Sequence, residues 1–276
     1  MRTAVIMTCH NRCELTRQCL RSLYEVWPDV DVFLTDDGST DGTVAMLEND
    51  FPKVHIIQGD GTLFWNRGMH RAWTEALKKD FDFYLWLNDD SILLPNIKEE
   101  LFATYQQQGQ GCIVSGLVSD EYSKLVIYGG SDASGKLVGH SGKPEVIIRM
   151  NGNVVLVPRQ VVEQIGILDP VYHHDLGDVD YGLRARENGI GVWSTGRVVA
   201  KGRVNKVVRI RKWGASLRHR MKVLHSPLGC PPRQNFYFRR RHFGLLKAIA
   251  FVLYVYVINI MPDTIVRWVW KNKYVL

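Results

Sequence analysis

The chain has 276 residues, 46% of them hydrophobic, 11% aromatic and 23% charged, a composition that buries a real core and excludes disorder, collagen-like repeats and a disulfide mini-scaffold. The formal net charge of +7 is segregated: no Asp or Glu occurs from Asn188 to Pro262, against fifteen Lys and Arg, while residues 1–187 hold 27 of the 28 acids and 17 bases. That pattern describes an acidic body followed by a basic, aromatic tail, and excludes a uniformly basic nucleic-acid binder.

Five cysteines, Cys9, Cys13, Cys19, Cys112 and Cys230, form no C-x-x-C pair and no signal peptide precedes them, so free, reduced thiols in a cytosolic protein are expected. Cys9, Cys13 and Cys19 with His10 fit no structural zinc spacing. In chain order, Ala4–Met7 predicts a first strand, about Arg12 to Trp27 a helix, Val32–Leu34 a second strand and Val54–Ile57 a third. Arg67 to Lys78 predicts a helix and Phe83–Leu87 a fourth strand, apolar on both faces. Continuous apolar runs separated by helices predict a buried parallel sheet, whose ligands bind beyond the carboxyl ends of the strands. There the chain places Thr8-Cys9-His10-Asn11, Asp36-Asp37-Gly38 and Asn88-Asp89-Asp90. The stretch from Ser115 to Ile148 holds strand-like pieces punctuated by glycines. Pro158–Ile167 and Asp178–Asn188 read as helices, the second ended by Gly189.

Each polar cluster has two readings. Asp89 and Asp90 at a strand end repel, and a bound cation, Mg²⁺ or Mn²⁺ with oxygen ligands, would compensate; alternatively Asp90 or Ser91 caps a helix starting near Pro95. Asp36-Asp37-Gly38-Ser39-Thr40-Asp41-Gly42 allows close backbone approach before a helix, where a carboxylate would accept a pyrimidine N3–H; it also reads as an Asx-rich loop. Trp65 and Phe64, between Gly59-Asp60-Gly61-Thr62 and Asn66-Arg67-Gly68, would cover a sugar or base, or fill the core. Asp178 in the first turn of its helix suits a general base and equally suits the helix dipole.

Together these stretches resemble the inverting glycosyltransferases of family 2, whose nucleotide-sugar fold is GT-A. The matching pieces are the first strand to Asn11-Arg12, Thr35 to Gly42, Asn66-Arg67-Gly68, Leu87 to Asp90, Asn151-Gly152-Asn153, and Gly177 to Tyr181 with Arg184 and Arg186. The resemblance covers roughly residues 3–200 and implies an α/β fold, a mixed sheet flanked by helices. A GT-A catalytic domain of residues 1–202 would comprise a nucleotide-binding half, 1–115, and an acceptor half, 116–202. A basic helical region, 203–276, would follow.

The resemblance also implies roles. Thr8, Asn11, Asp36, Asp37 and Asn66 would surround the nucleotide, with one of the two Asp on the base N3–H. Asn88-Asp89-Asp90 matches the D-x-D motif, with Asp90 on the metal and Asn88 or Asp89 near the ribose. Asp178 matches the general base. Trp65, Asn151, His174 and Asp175 would line the donor and acceptor pocket. Gly177 stands where the family carries the acid before the base, Asn88 where it carries the first Asp of D-x-D, and Val199–Arg203 where many members carry a metal-binding His; Lys201 or Arg203 would then bind the diphosphate directly. The donor would be a UDP- or dTDP-sugar. Leu63-Phe64-Trp65 and Asn235–Arg240 look like the rhamnosyltransferase-like branch, which makes rhamnose the first donor expectation, ahead of galactose and glucose.

The tail carries Arg209, Arg211, Lys212, Arg218, Arg220, Lys222 and Arg239-Arg240-Arg241. An apolar run from Ala248 to Met261 follows, then Trp268, Trp270 and Tyr274. That run is shorter than the ~20 residues a spanning helix needs, and its basic flanks suit peripheral contact with an anionic inner membrane surface, where a lipid-linked saccharide acceptor would be presented; a homodimer interface is the other reading. The expected function is a bacterial cell-surface polysaccharide glycosyltransferase. A non-catalytic nucleotide-sugar- or saccharide-binding partner in an assembly complex is the alternative. A nucleotidyltransferase would want a basic Gly-rich loop that Thr8–Arg12 lacks, and no nucleic-acid partner is expected.

Overall fold

The computed structural model describes residues 1–109, 111–204 and 210–270. They form two compact units: Met1–His173 with Gly177–Val204, and His174–Leu176 with the described part of 205–276.

In the first unit the chain runs β1 (Thr3–Cys9), α1 (Cys13–Val26), β2 (Asp31–Asp36), α2 (Thr43–Asp50), β3 (His55–Gln58), α3 (Phe64–Ala76), β4 (Phe83–Leu87), β5 (Ile92–Leu93) and α4 (Ile97–Gln107). It continues through β6 (Ile113–Asp120), β7 (Val126–Tyr128), β8 (Val154–Pro158), α5 (Arg159–Ile165), α6 (Gly177–Glu187) and β9 (Val192–Gly202). Among the described residues the strands form one sheet in the order β3-β2-β1-β4-β8-β6-β9-β5, with β7 on β6.

Every residue of β1 is buried, as a strand covered on both faces requires. Its side chains alternate between two apolar layers. Val5 and Met7 join Leu20, Leu34, Leu47 and Leu85; Ala4 and Ile6 join Phe33, Trp73, Trp86 and Tyr181.

Strands β3, β2, β1 and β4 are parallel, as the apolar runs predict. Beyond β4 the sheet becomes mixed, as the resemblance implies. Strand β8 lies antiparallel to β4 with Leu85 opposite Leu156, β6 is antiparallel to β8, and β9 returns parallel to β6. A five-residue apolar run before a helix carries no mark of its direction, so which strands run antiparallel emerges only from the pairing.

Two element starts bear on the site. Helix α3 begins at Phe64 rather than Arg67, because Asp37 Oδ2 accepts the Phe64 N–H at 2.9 Å. Helix α4 has Asn96 as its N-cap, so neither Asp90 nor Ser91 caps it.

The second unit holds α7 (Leu217–His225), α8 (Pro232–Phe243), α9 (Leu245–Ile260) and α10 (Asp263–Trp270). Ser216 caps α7 by accepting the His219 N–H, and Gly244, at φ 91°, supplies the backbone turn between α8 and α9. Leu224, Cys230 and Val255 form its core, packed by Met221, Phe251 and Tyr254. Asp263 pairs with the buried Arg211 and with Arg220. Arg209 and Tyr274 lie outside the described residues. Among the described residues no helix is long and apolar enough to cross a membrane.

Candidate active site

The carboxyl ends of β1, β2 and β4 converge because the strands are adjacent and parallel, with Cys9 opposite Asp36. Asn11, at φ 51°, turns the chain there. Its Oδ1 accepts the Thr40 N–H at 2.7 Å, and its own N–H donates to Ser39 Oγ at 2.8 Å. Asp36 and Asp37 are both buried. Asp36 Oδ2 accepts the Ser39 N–H at 3.0 Å, and Asp37 Oδ1 accepts the Gly61 N–H at 2.9 Å. These carboxylates therefore shape the two loops bordering the strand tips. Thr8 is buried against Gly68 of α3, where a Cβ would strike its side chain.

At the end of β4, Arg12 Nη1 donates to Asp89 Oδ1 at 3.1 Å and to Asp90 Oδ2 at 3.0 Å. Asp89 is buried, which pushes its carboxyl up to about 7 even though Arg12 opposes the shift and Asp90 adds to it. The repulsion expected between these acids is thus met by a guanidinium, itself held above its usual range chiefly by Asp89. Sequence reading did not single out Arg12 as a site residue; its signal was two adjacent acids needing counter-charge and an arginine at the neighbouring strand end.

The Asn88 amide is used at both ends. Its Oδ1 accepts Trp65 Nε1–H at 2.8 Å, and its Nδ2 donates to Asn153 Oδ1 at 2.7 Å. An aspartate could not make the second of these bonds by donation. One residue away, the Gly152 N–H donates to Asp178 Oδ2 at 3.0 Å. A Cβ on Gly152 would collide with the Trp65 indole and press on the Asp178 Cβ. Trp65, Asn88, Asn153, Gly152 and Asp178 therefore form one connected set, joining the Asp89-Asp90 strand end to the start of α6. Asn153 and Gly152 are the members that sequence reading placed in a motif without a role; Asn151 is half-buried on the same loop.

The two acids opening α6 are divided. Asp180, fully buried, accepts from Tyr172 Oη–H at 3.0 Å and from Arg184 Nε–H at 2.8 Å. Arg184 also donates to the carbonyls of Ile165 and Ile167. Asp180 is an internal anchor, whereas Asp178 is half-buried at the loop.

Gly177 faces Asn66 so closely that any Cβ would strike the amide oxygen. Asn66 is itself fixed, its Nδ2 donating to the carbonyls of Asp169 and Tyr172. The acid usual at this position has no room here. Lys201 lies on β9 opposite Ile92, and Arg203 is turned to Glu121 at 3.2 Å. His174 and Asp175 belong to the second unit, in the segment preceding α6. Among the described residues no group of three or more His, Cys, Asp or Glu is placed to hold a metal ion.

A family model for glycosyl transferase family 2 matches residues 4–154, more than half of the sequence, and the chain belongs to that family. An uncharacterized glycosyltransferase of Haemophilus influenzae (strain ATCC 51907 / DSM 11121 / KW20 / Rd) is 24% identical over 263 residues, covering 92% of this chain and 94% of the relative. Among solved structures, GalNAc-T7 with UDP, GalNAc and Mn²⁺ superposes with a TM-score of 0.61 at 13% identity, over 87% of this chain and 50% of that one. The chain thus spans half the length of GalNAc-T7. The mannosyltransferase PcManGT of Pyrobaculum calidifontis, in complex with GDP-Man and Mn²⁺, gives 0.59 at 16% identity over 90% and 73%. TarS 1–349 of S. aureus gives 0.54 at 15% over 87% and 73%. These likenesses establish the fold, a mixed α/β architecture with a curled mixed sheet of the GT-A glycosyltransferase type.

Proposed function

We propose that the protein transfers a sugar, with inversion, from a UDP- or dTDP-sugar to a saccharide acceptor, lipid-linked, in cell-surface polysaccharide synthesis. The observation that carries this reading is the connected set from Asn88 to Asp178, which ties the acidic strand end to a half-buried carboxylate at a helix start. The similar structures holding UDP or GDP-Man with Mn²⁺ support a nucleotide-sugar donor. Rhamnose remains the first donor expectation.

In this reading Thr8, Asn11, Asp36, Asp37 and Asn66 form or support the nucleoside pocket, with one of the two Asp accepting the base N3–H. Asp178 takes the proton of the acceptor hydroxyl as that oxygen bonds to the anomeric carbon. The bond from that carbon to the diphosphate oxygen breaks, and the nucleoside diphosphate leaves with the electron pair. A single displacement inverts the centre and needs no covalent enzyme intermediate. A positioned carboxylate base contributes ~10²–10⁴-fold.

The acidic strand end fits Mg²⁺ or Mn²⁺, hard cations that favour oxygen ligands, and Asp90 would hold the ion. Asp90 offers hard oxygen donors and uses only Oδ2 for Arg12 among the described residues. When bound, such an ion stabilises the negative charge growing on the leaving diphosphate. Arg12, Lys201 and Arg203 are this chain's own candidates for diphosphate contacts.

A second reading, a non-catalytic nucleotide-sugar- or saccharide-binding partner, draws on Gly177, where Asn66 fills the space of the usual acid. Donor turnover by wild type and by Asp178→Asn separates the two. The transferase reading expects a rate ~10²–10⁴-fold lower in the variant with nucleotide affinity retained. Equal turnover by both proteins would remove Asp178 as the base, and turnover by neither would favour the binding partner.

A further inference from the structure

Helix α9 has two unlike sides. Ala248, Val255, Ile258 and Asn259 are buried, and Val255 joins Leu224 of α7 in the core of the second unit. On the other side Leu246 is 83% exposed, Leu253 59% and Ile260 57%, with Ile249 and Val257 also exposed between them. The spacing of these five, three, four, four and three residues, draws one stripe along the helix. The stripe rises about 21 Å, too short to cross a bilayer core of about 30 Å. Beyond it, α10 exposes Ile265, Trp268 and Val269.

The exposed charge of residues 210–270 is almost all of one sign. Arg240, Arg241 and Lys247 are exposed at the α8–α9 corner beside Phe243, Leu245 and Leu246, and Arg218, Lys222, Arg233 and Arg267 are exposed elsewhere on the unit. Asp263 is the only acid in residues 210–270, and it is engaged by Arg211 and Arg220. A second copy of this chain would bring the same positive charge against it, which opposes a symmetric pairing. An anionic bilayer supplies the opposite charge and an apolar interior a few ångströms deep.

We propose that the exposed stripe of α9, with the apolar side of α10, seats in the surface of an anionic lipid bilayer, the helix lying in the interface and the bases meeting the headgroups. The proposal gives the lipid-linked acceptor of the proposed reaction a surface on which to be met, but it rests on a unit separate from the nucleotide site. Its failure would leave that site's binding unchanged.

The test is co-sedimentation of the full chain with phosphatidylcholine vesicles with and without phosphatidylglycerol, at low and high salt. The expected result is binding that requires phosphatidylglycerol, weakens with salt, and falls about ten-fold or more in a Leu246→Glu/Leu253→Glu variant. Arg240→Glu/Arg241→Glu would weaken it as well. Both variants change exposed side chains, and an unaltered thermal melt and nucleotide titration would confirm that they are folded. Folded wild type that ignores anionic vesicles, or binding indifferent to the two leucines, would overturn the proposal. A wild-type dimer that ignores vesicles and is split by the leucine variant would assign the face to a second copy instead.

Discussion

Arg12 occupies the position between Asp89 and Asp90 where a counter-charge is required, and it does so from the neighbouring strand end. Removing it leaves Asp89 buried beside a second carboxylate. Arg12→Met should lower the unfolding free energy by about 2 kcal/mol, less than a fully buried pair because the guanidinium is partly in water. Adding Asp89→Asn should recover most of that loss, and urea titrations of the four proteins in the cycle measure it. Gly177 makes a second local test. With Asn66 held by two carbonyls, Gly177→Ala should cost about 1–3 kcal/mol by overpacking, read as a drop in the urea midpoint; an unchanged midpoint would mean that Asn66 can yield. At this scale the sequence marks which residue types stand at the strand tips but not their partners. Asn88, Asp89 and Asp90 are legible as a motif. That Asn88 binds Trp65 and Asn153, and that Asp180 is an anchor while Asp178 is not, depends on side-chain directions that spacing alone leaves open.

Among the elements, the parallel half of the sheet was legible because its strands are short apolar runs, β1 and β4 buried along their whole length, separated by helices with their own turn signals. The two-residue β5 and the direction of β8 were not, since a short apolar run pairs either way. In the C-terminal unit an ion-paired contact ties α10 to α7 and to the segment before it. Asp263 at the start of α10 bonds Arg211, Arg220 and the Gly214 N–H, and these hydrogen bonds, that of Arg211 foremost, hold its carboxyl below its usual range. A depressed carboxylate pKa contributes stability above the unfolded value of about 3.9, lost as pH falls through the lower folded value. Asp263→Asn should therefore destabilise the unit by about 3 kcal/mol near neutrality, because Arg211 stays buried without its charge partner. The difference between variant and wild type should shrink below pH 4, and thermal melts across that range would show it. A pH-independent difference would assign the loss to packing rather than to the ion pair.

Across the whole molecule, the acidic body and basic tail seen in the sequence correspond to separate chemistries. The body carries a family 2 glycosyltransferase fold with its polar residues gathered at the ends of β1, β2 and β4; the tail carries exposed bases and an apolar stripe. Composition shows the division but not the donor, because donor choice lies in contacts to the sugar that neither charge nor motif spacing encodes. The claim that most needs testing is that the strand-end cluster is a nucleoside diphosphate site acting with a divalent cation. Calorimetric titration of UDP, dTDP, GDP and CMP into the wild type and Asp90→Ala, each with and without Mn²⁺, addresses it directly. Selective binding of UDP or dTDP, strengthened by Mn²⁺ and lost in Asp90→Ala, is the predicted result. Wild-type protein that binds none of the four nucleotides under any of these conditions would contradict it.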